Sequence, residues 1–177
     1  MSKVLGATKR LHYFAIESFP LSKDNLKITQ QRFPDLAKEY QELIDKYPPI
    51  HTGFHRIWLK SGAVALTLIF EPTWRGIFQI EGTFDAWFLS QFSIESAPDQ
   101  WSPNIFSEIS RLSRKDTLIC SSNTGAYVDG ELKRIDAIVV SSQHSENMSL
   151  KDVQEGIREE VINKIVPNEL IDNGTKF

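Results

Sequence analysis

The chain has 177 residues, 41% of them apolar and 24% charged, with a formal net charge of −3. That composition suits a chain that buries a core, and it offers no basic excess with which to hold nucleic acid or an anionic membrane. The single cysteine, Cys120, excludes an internal disulfide, and there is no run of about 18 apolar residues to span a bilayer. Lys9, Arg10 and His12 interrupt the N-terminal segment before it could serve as a signal peptide, so a cytoplasmic protein is expected.

Leu11 to Glu17 (LHYFAIE) reads as a short strand from its aromatic and β-branched content. Ser22 to Phe33 is polar and ambiguous, compatible with an irregular helix. After Pro34, the segment from Asp35 to Tyr47 places Leu36, Tyr40, Leu43, Ile44 and Tyr47 along one side of a helix and Lys38, Glu39, Glu42 and Asp45 along the other. Pro48 and Pro49 end it, because proline has no amide hydrogen to give the helix.

The stretch from Phe54 to Phe92 is β in character. Phe54 to Lys60 alternates, Lys60-Ser61-Gly62 is a turn, and Ala63 to Phe70 (AVALTLIF) is a continuous apolar run suited to a central strand. Glu71-Pro72-Thr73-Trp74 interrupts the pattern, Arg75 to Glu81 resumes it, Gly82 marks a turn, and Phe84 to Phe92 follows. Four strands so spaced predict an antiparallel meander.

Packing is the simpler role for Trp58, Trp74, Phe78, Trp87 and Phe88, since large rings dominate core energetics by area. Trp74 beside Arg75 at a turn is nevertheless a candidate contact pair, because Trp and Arg are favoured interface anchors. His51 and His55, four apart after the double proline, are candidate binding residues too. They flank a loop-to-strand junction with no acid or cysteine to complete a set, so no metal site is expected. Asp85 could be a partly buried carboxylate, but without a partner base it makes no mechanism.

Ser93 to Ser102 is a polar connector and the natural boundary between two regions, 1–97 and 98–177, unless they form one continuous domain. Ser102-Pro103 opens a helix with Ile105, Phe106, Ile109 and Leu112 on its apolar face, ending near the basic residues Arg111 to Lys115. Further on, Asp129-Gly130 suits a hairpin turn, and Leu132 to Ser142 is apolar on both faces, as an interior strand would be. A helix follows from Ser149 to Pro167, capped by Ser149 and striped with Leu150, Val153, Ile157, Val161 and Ile165.

Arg134-Ile135-Asp136, Val140-Ser141-Ser142-Gln143-His144-Ser145, Val161-Ile162-Asn163, Val166-Pro167, Glu169-Leu170-Ile171-Asp172 and Thr175-Lys176-Phe177 together resemble the central part of the S-adenosylmethionine synthetase (methionine adenosyltransferase) family. The likeness spans residues 129–177 only. Members of that family join ATP to methionine and cleave the triphosphate, which needs metal-binding acids and several cations on the phosphates. The family's GHPDK-type, GDQG-type and glycine-rich segments are missing here, as is the acid-x-Lys segment expected before the hairpin, where Leu118 to Val128 reads LICSSNTGAYV. The resemblance therefore implies a retained scaffold with no catalytic residues, no metal and no cofactor, and His144 as part of a shared structural signature.

The expected architecture is α+β: an antiparallel sheet with helices packed on one side, ending in a hairpin-strand-helix unit. The function expected with it is that of a non-catalytic relative of the synthetase with a degenerate active site, binding a protein partner, a second copy of itself or an adenosyl ligand, and neither nucleic acid nor membrane. Two alternatives stand beside it. One is an enzyme acting on S-adenosylmethionine or a related nucleotide through the N-terminal sheet, and the other a small acidic inhibitor or immunity-type protein.

Overall fold

The computed structural model describes residues 10–89, 101–121 and 126–141. The chain divides into two units, Met1–Gln79 and Ile80–Phe177.

The first unit runs β1 (Leu11–Ile16), α1 (Lys23–Gln30), α2 (Ala37–Lys46), β2 (Gly53–Leu59), β3 (Val64–Phe70) and the short α3 (Thr73–Gly76). Its sheet has the order β1-β3-β2, with β1 parallel and β2 antiparallel to the central β3. A parallel pair cannot be joined by a tight turn, and here both helices and β2 lie between its two strands in sequence. Each helix has a local cause. Ser22 caps α1 by accepting the amide N–H of Asn25 at 3.2 Å. A single 3₁₀ turn opening on Pro34 leads into α2, whose capping residue Tyr47 already has extended backbone before Pro48.

The register sorts the sheet's faces. Tyr13, Ala15, Leu66, Leu68, Phe70, His55 and Ile57 share one face by strand alternation. There Leu68 and Phe70 join Leu26 of α1, Ile44 of α2 and Tyr47 in a buried cluster. His12, Phe14, Ile16, Ala65, Thr67, Ile69, Phe54, Arg56 and Trp58 share the other face. The β2–β3 connection is the tight turn expected at Lys60-Ser61-Gly62, with φ positive at all three residues. Glu42 of α2 fixes it by accepting the Lys60 amide N–H at 3.0 Å.

The second unit runs β4 (Phe84–Leu89), α4 (Pro103–Arg111), β5 (Ser113–Ser121), α5 (Ala126–Leu132) and β6 (Ala137–Ser141). Its sheet, β4-β5-β6, is parallel throughout. On the central strand Thr117, Leu118, Ile119 and Cys120 are all buried. Ile105, Phe106, Ile109 and Leu112 form the expected apolar stripe of α4.

The α+β class holds, but three expectations are corrected. The antiparallel meander is replaced by one mixed and one parallel sheet, because helices intervene between the strands that pair. Arg75 to Glu81 is not a strand: α3 and a 3₁₀ turn at Ile77–Gln79 occupy most of it, burying Ile77 and Ile80 at a helical spacing of three. Asp129-Gly130 does not turn a hairpin. It lies inside α5, where Val128 and Leu132, four apart, are both buried and their packing outweighs the turn preference of the dipeptide. The helix expected from Ser149 to Pro167 and His144 lie outside the described residues. Among the described residues no helix is long and apolar enough to cross a membrane.

Candidate functional site

The geometry that gathers polar chemistry in the first unit is the edge where β1 and β3 end together. Parallel pairing brings Ile16 level with Ile69, and the Glu17 amide N–H donates to the Ile69 carbonyl at 2.9 Å. Two acids therefore follow the strand ends on this edge, Glu17 after β1 at a position that continues the Tyr13 and Ala15 face, and Glu71 after β3 at a position that continues the Ala65, Thr67 and Ile69 face. In open sheets with parallel strands this carboxyl edge is where ligands bind, because the chain leaves the sheet there and side chains can converge.

The acids differ. Glu71 has only 5% of its side chain exposed and accepts no hydrogen bond among the described residues. Its charged neighbour is Arg75, whose Nε stands 3.6 Å away, beyond hydrogen-bond range. A carboxylate so placed has lost its water without gaining donors, which costs free energy unless another group supplies them. Glu17 has an exposed side chain, yet its surroundings crowd out enough water to hold its pKa above the ordinary carboxylate value. Burial first, and the Glu17 charge second, also raise the phenol pKa values of Tyr13 and Tyr47, which places both rings within electrostatic reach of that carboxyl.

Gly76 closes the edge from above. A Cβ built there would stand 3.0 Å from Ile16 Cγ2, 3.1 Å from Ile69 Cγ2 and 3.4 Å from Glu71 Cβ. The absence of a side chain lets α3 settle onto the strand ends beside Glu71.

The structure brings only part of the expected set to this edge. Arg75 is there, with Trp74 beside it in α3 and 54% exposed. His51 and His55 are elsewhere: His55 Nε2 donates to the His51 carbonyl at 2.6 Å and its ring packs against Phe70, 4.8 Å between centroids. Among the described residues no three His, Cys, Asp or Glu side chains are grouped to hold a metal. Asp85 is exposed and ion-paired with Arg114, which corrects the expectation of a partly buried acid. Neither Glu17 nor Glu71 stands out in the sequence, because an acid after a strand gains meaning only once the strands are known to be parallel.

A family model described as S-adenosyl-L-methionine-dependent methyltransferase matches residues 34–145. Several relatives bear the description tRNA 5-methylaminomethyl-2-thiouridine biosynthesis bifunctional protein MnmC. The one from Pseudomonas entomophila is 37% identical over 127 residues, covering 72% of this chain and 19% of the relative. The one from Marinomonas is 35% identical over 130 residues, 73% of this chain and 19% of the relative. A third protein of that description, from Magnetococcus marinus, is 37% identical over 124 residues. The chain thus spans about a fifth of the length of the curated relatives it matches.

These matches overturn the likeness to S-adenosylmethionine synthetase. That likeness rested on short apolar and turn words within residues 129–177, whereas the match runs through most of both units. The inference of a degenerate, non-catalytic protein falls with it. It was drawn from the lack of triphosphate- and magnesium-binding groups, and methyl transfer from a sulfonium handles neither. The chain belongs to the S-adenosyl-L-methionine-dependent methyltransferase family.

Proposed function

We propose that the chain binds S-adenosylmethionine at the carboxyl edge of β1 and β3 and forms part of a methyltransferase acting on tRNA. The observation that carries this is Glu71, a buried carboxylate without hydrogen-bond donors among the described residues, at the edge where ligands bind in sheets of this kind. The residues fit the ligand chemically. Its ribose diol and purine amine are donors, and Glu17 and Glu71 offer acceptors in a partly desolvated setting. Bound there, the ligand supplies a methyl group made electrophilic by its sulfonium centre.

The chain's own residues then have separate tasks. Glu17, at the rim, accepts hydrogen bonds from the ribose hydroxyls. Glu71 takes an N–H donor into the buried end, with Arg75 balancing its charge, and exposed Trp74 offers a flat apolar wall beside them. The relatives' description names a nucleoside bearing a methylated exocyclic amine, so a methyltransferase serving that product would methylate an amine on tRNA. Here the exclusion of nucleic acid gives way: it was drawn from a net charge of −3, and a net charge is a sum that conceals local excesses of either sign.

Calorimetric titration with S-adenosylhomocysteine tests the reading directly. The chain should bind, and Glu71→Gln should weaken binding by about tenfold or more, the usual loss for a hydrogen bond to a charged group. Absence of binding at millimolar ligand, or equal binding by Glu17→Gln and Glu71→Gln together, would sink it.

A further inference from the structure

The face of the first unit's sheet turned away from α1 and α2 carries a pattern that an adenosyl site does not use. Along the outer strand β2, Phe54, Arg56 and Trp58 are exposed in alternation while Gly53, His55, Ile57 and Leu59 turn the other way. Phe54 is 44% exposed and Trp58 43%, so both rings present a face to solvent on either side of Arg56. The exposure belongs to the outer strand and its rim: on the same face of β3, Ala65, Thr67 and Ile69 are buried, while His12 of β1, level with Ala65 and Trp58, is exposed.

Two arginines on this face are held without carboxylates. Arg10 lies over the Trp58 ring, 5.0 Å from its centroid, and its Nε donates to the Gly62 carbonyl at 3.0 Å. Arg56 Nε donates to Thr67 Oγ1 at 3.1 Å. Neither pairs with an acid among the described residues, whereas Lys27, Lys46, Lys60, Arg75, Arg111, Arg114 and Arg134 all do. The strand positions on this face contain no Asp or Glu. Binding each guanidinium through Nε fixes its plane and leaves the terminal nitrogens as a fork suited to phosphate. A lone arginine on an outer strand could serve only to discourage strand-to-strand association. That does not explain a second arginine stacked on an exposed tryptophan.

We propose that this face is a platform for an unpaired RNA segment, with Phe54 and Trp58 stacking on bases and Arg10, Arg56 and His12 holding the phosphates. Two rings four residues apart on one strand stand roughly 13 Å from each other, and Arg56 lies between them. Ring, cation, ring is the arrangement that single-stranded nucleic acid calls for, since every base has a stacking face and every linkage a charge. The proposal rests on the tRNA reading above, to which it adds the surface and the unpaired state of the RNA.

The test uses the whole 177-residue chain. Fluorescence anisotropy follows a labelled oligouridylate and a duplex of equal length across a salt series. The single strand should bind more tightly, and Trp58→Ala or Phe54→Ala should weaken it by about tenfold. Arg56→Gln should reduce the salt slope by about 0.7, the value for one phosphate contact on a single strand. Should Trp58→Ala lower the melting temperature, Trp58→Phe, which keeps a stacking ring, should restore binding. Lys38→Ala, on α2, should change nothing. No binding at low salt, equal binding of duplex, or indifference to all the face variants overturns the platform, as does dimerisation abolished by Trp58→Ala, which would show a second copy covering the face. Titration of the same samples with S-adenosylhomocysteine separates the two failures: adenosyl binding without RNA binding removes the platform alone, and the reverse removes the adenosyl site alone.

Discussion

Glu17 carries a pH signature that can be separated from its proposed task. Its carboxyl is raised above the ordinary value by desolvation, so the folded state disfavours the charged form relative to the unfolded chain. The contribution of Glu17 to stability is therefore most favourable below the unfolded carboxyl pKa and declines as pH rises through the folded one. Glu17→Gln, which cannot ionise, should be more stable than the parent at pH 7 and no more stable at pH 3, measured by urea unfolding at both. A gain of equal size at both pH values would mean that charge has nothing to do with it. Gly76 gives a second test at this scale. Gly76→Ala drives a methyl to within 3.0 Å of Ile16 and 3.1 Å of the fully buried Ile69, and should destabilise by about 1–3 kcal/mol in spite of alanine's better helix propensity. Neither residue announces itself in the sequence. His51, His55, Trp74 and Arg75 drew attention because of their types, whereas Glu17 and Glu71 matter by position, which only strand direction reveals.

The elements were legible wherever the local signal did not depend on a distant partner. The stripe from Leu36 to Tyr47, bounded by prolines, gives α2, and the apolar run from Ala63 to Phe70 gives β3. β5 is hard to see in the sequence because Arg111, Arg114 and Lys115 look like the basic end of a helix, while the apolar half, Leu118 to Cys120, is short and is stabilised by parallel partners on both sides. Direction could not be read either, since β-branched content is the same in parallel and antiparallel strands. The β2–β3 turn, which was read correctly, holds Lys60 at φ 52 and Ser61 at φ 53, a region costly to any side chain. Glu42 and Glu39 hold Lys60 by its amide and its ammonium, so that residue is committed, but Ser61 is exposed. Ser61→Gly should therefore stabilise by about 1 kcal/mol and raise the melting temperature by about 2–4 °C. A lower melting temperature would show that the backbone freedom of glycine in the unfolded chain outweighs the relief of strain.

At the scale of the molecule, the likeness to one family and the match to another show why local words mislead: a strand followed by small polar residues recurs in many sheets, and only a match through most of the chain distinguishes them. The division into Met1–Gln79 and Ile80–Phe177 bears on how ligand binding will be seen. A ligand that binds only the folded state at 100 times its dissociation constant adds about 2.7 kcal/mol of stability. If all 177 residues melt in one transition, S-adenosylhomocysteine should raise its midpoint by about 5–10 °C. If the first unit melts by itself, the same free energy acts on a smaller unfolding entropy, and its transition should move by about twice as much while the other stays in place. Calorimetry distinguishes the two, because one transition gives equal calorimetric and van't Hoff enthalpies and two do not. Hydrogen exchange locates the effect: protection should rise in peptides covering 11–21 and 69–79, where the strand ends and Glu71 lie. Protection confined to residues after Ile80 would place the ligand away from Glu17 and Glu71, and the carboxyl edge of β1 and β3 would lose its assignment.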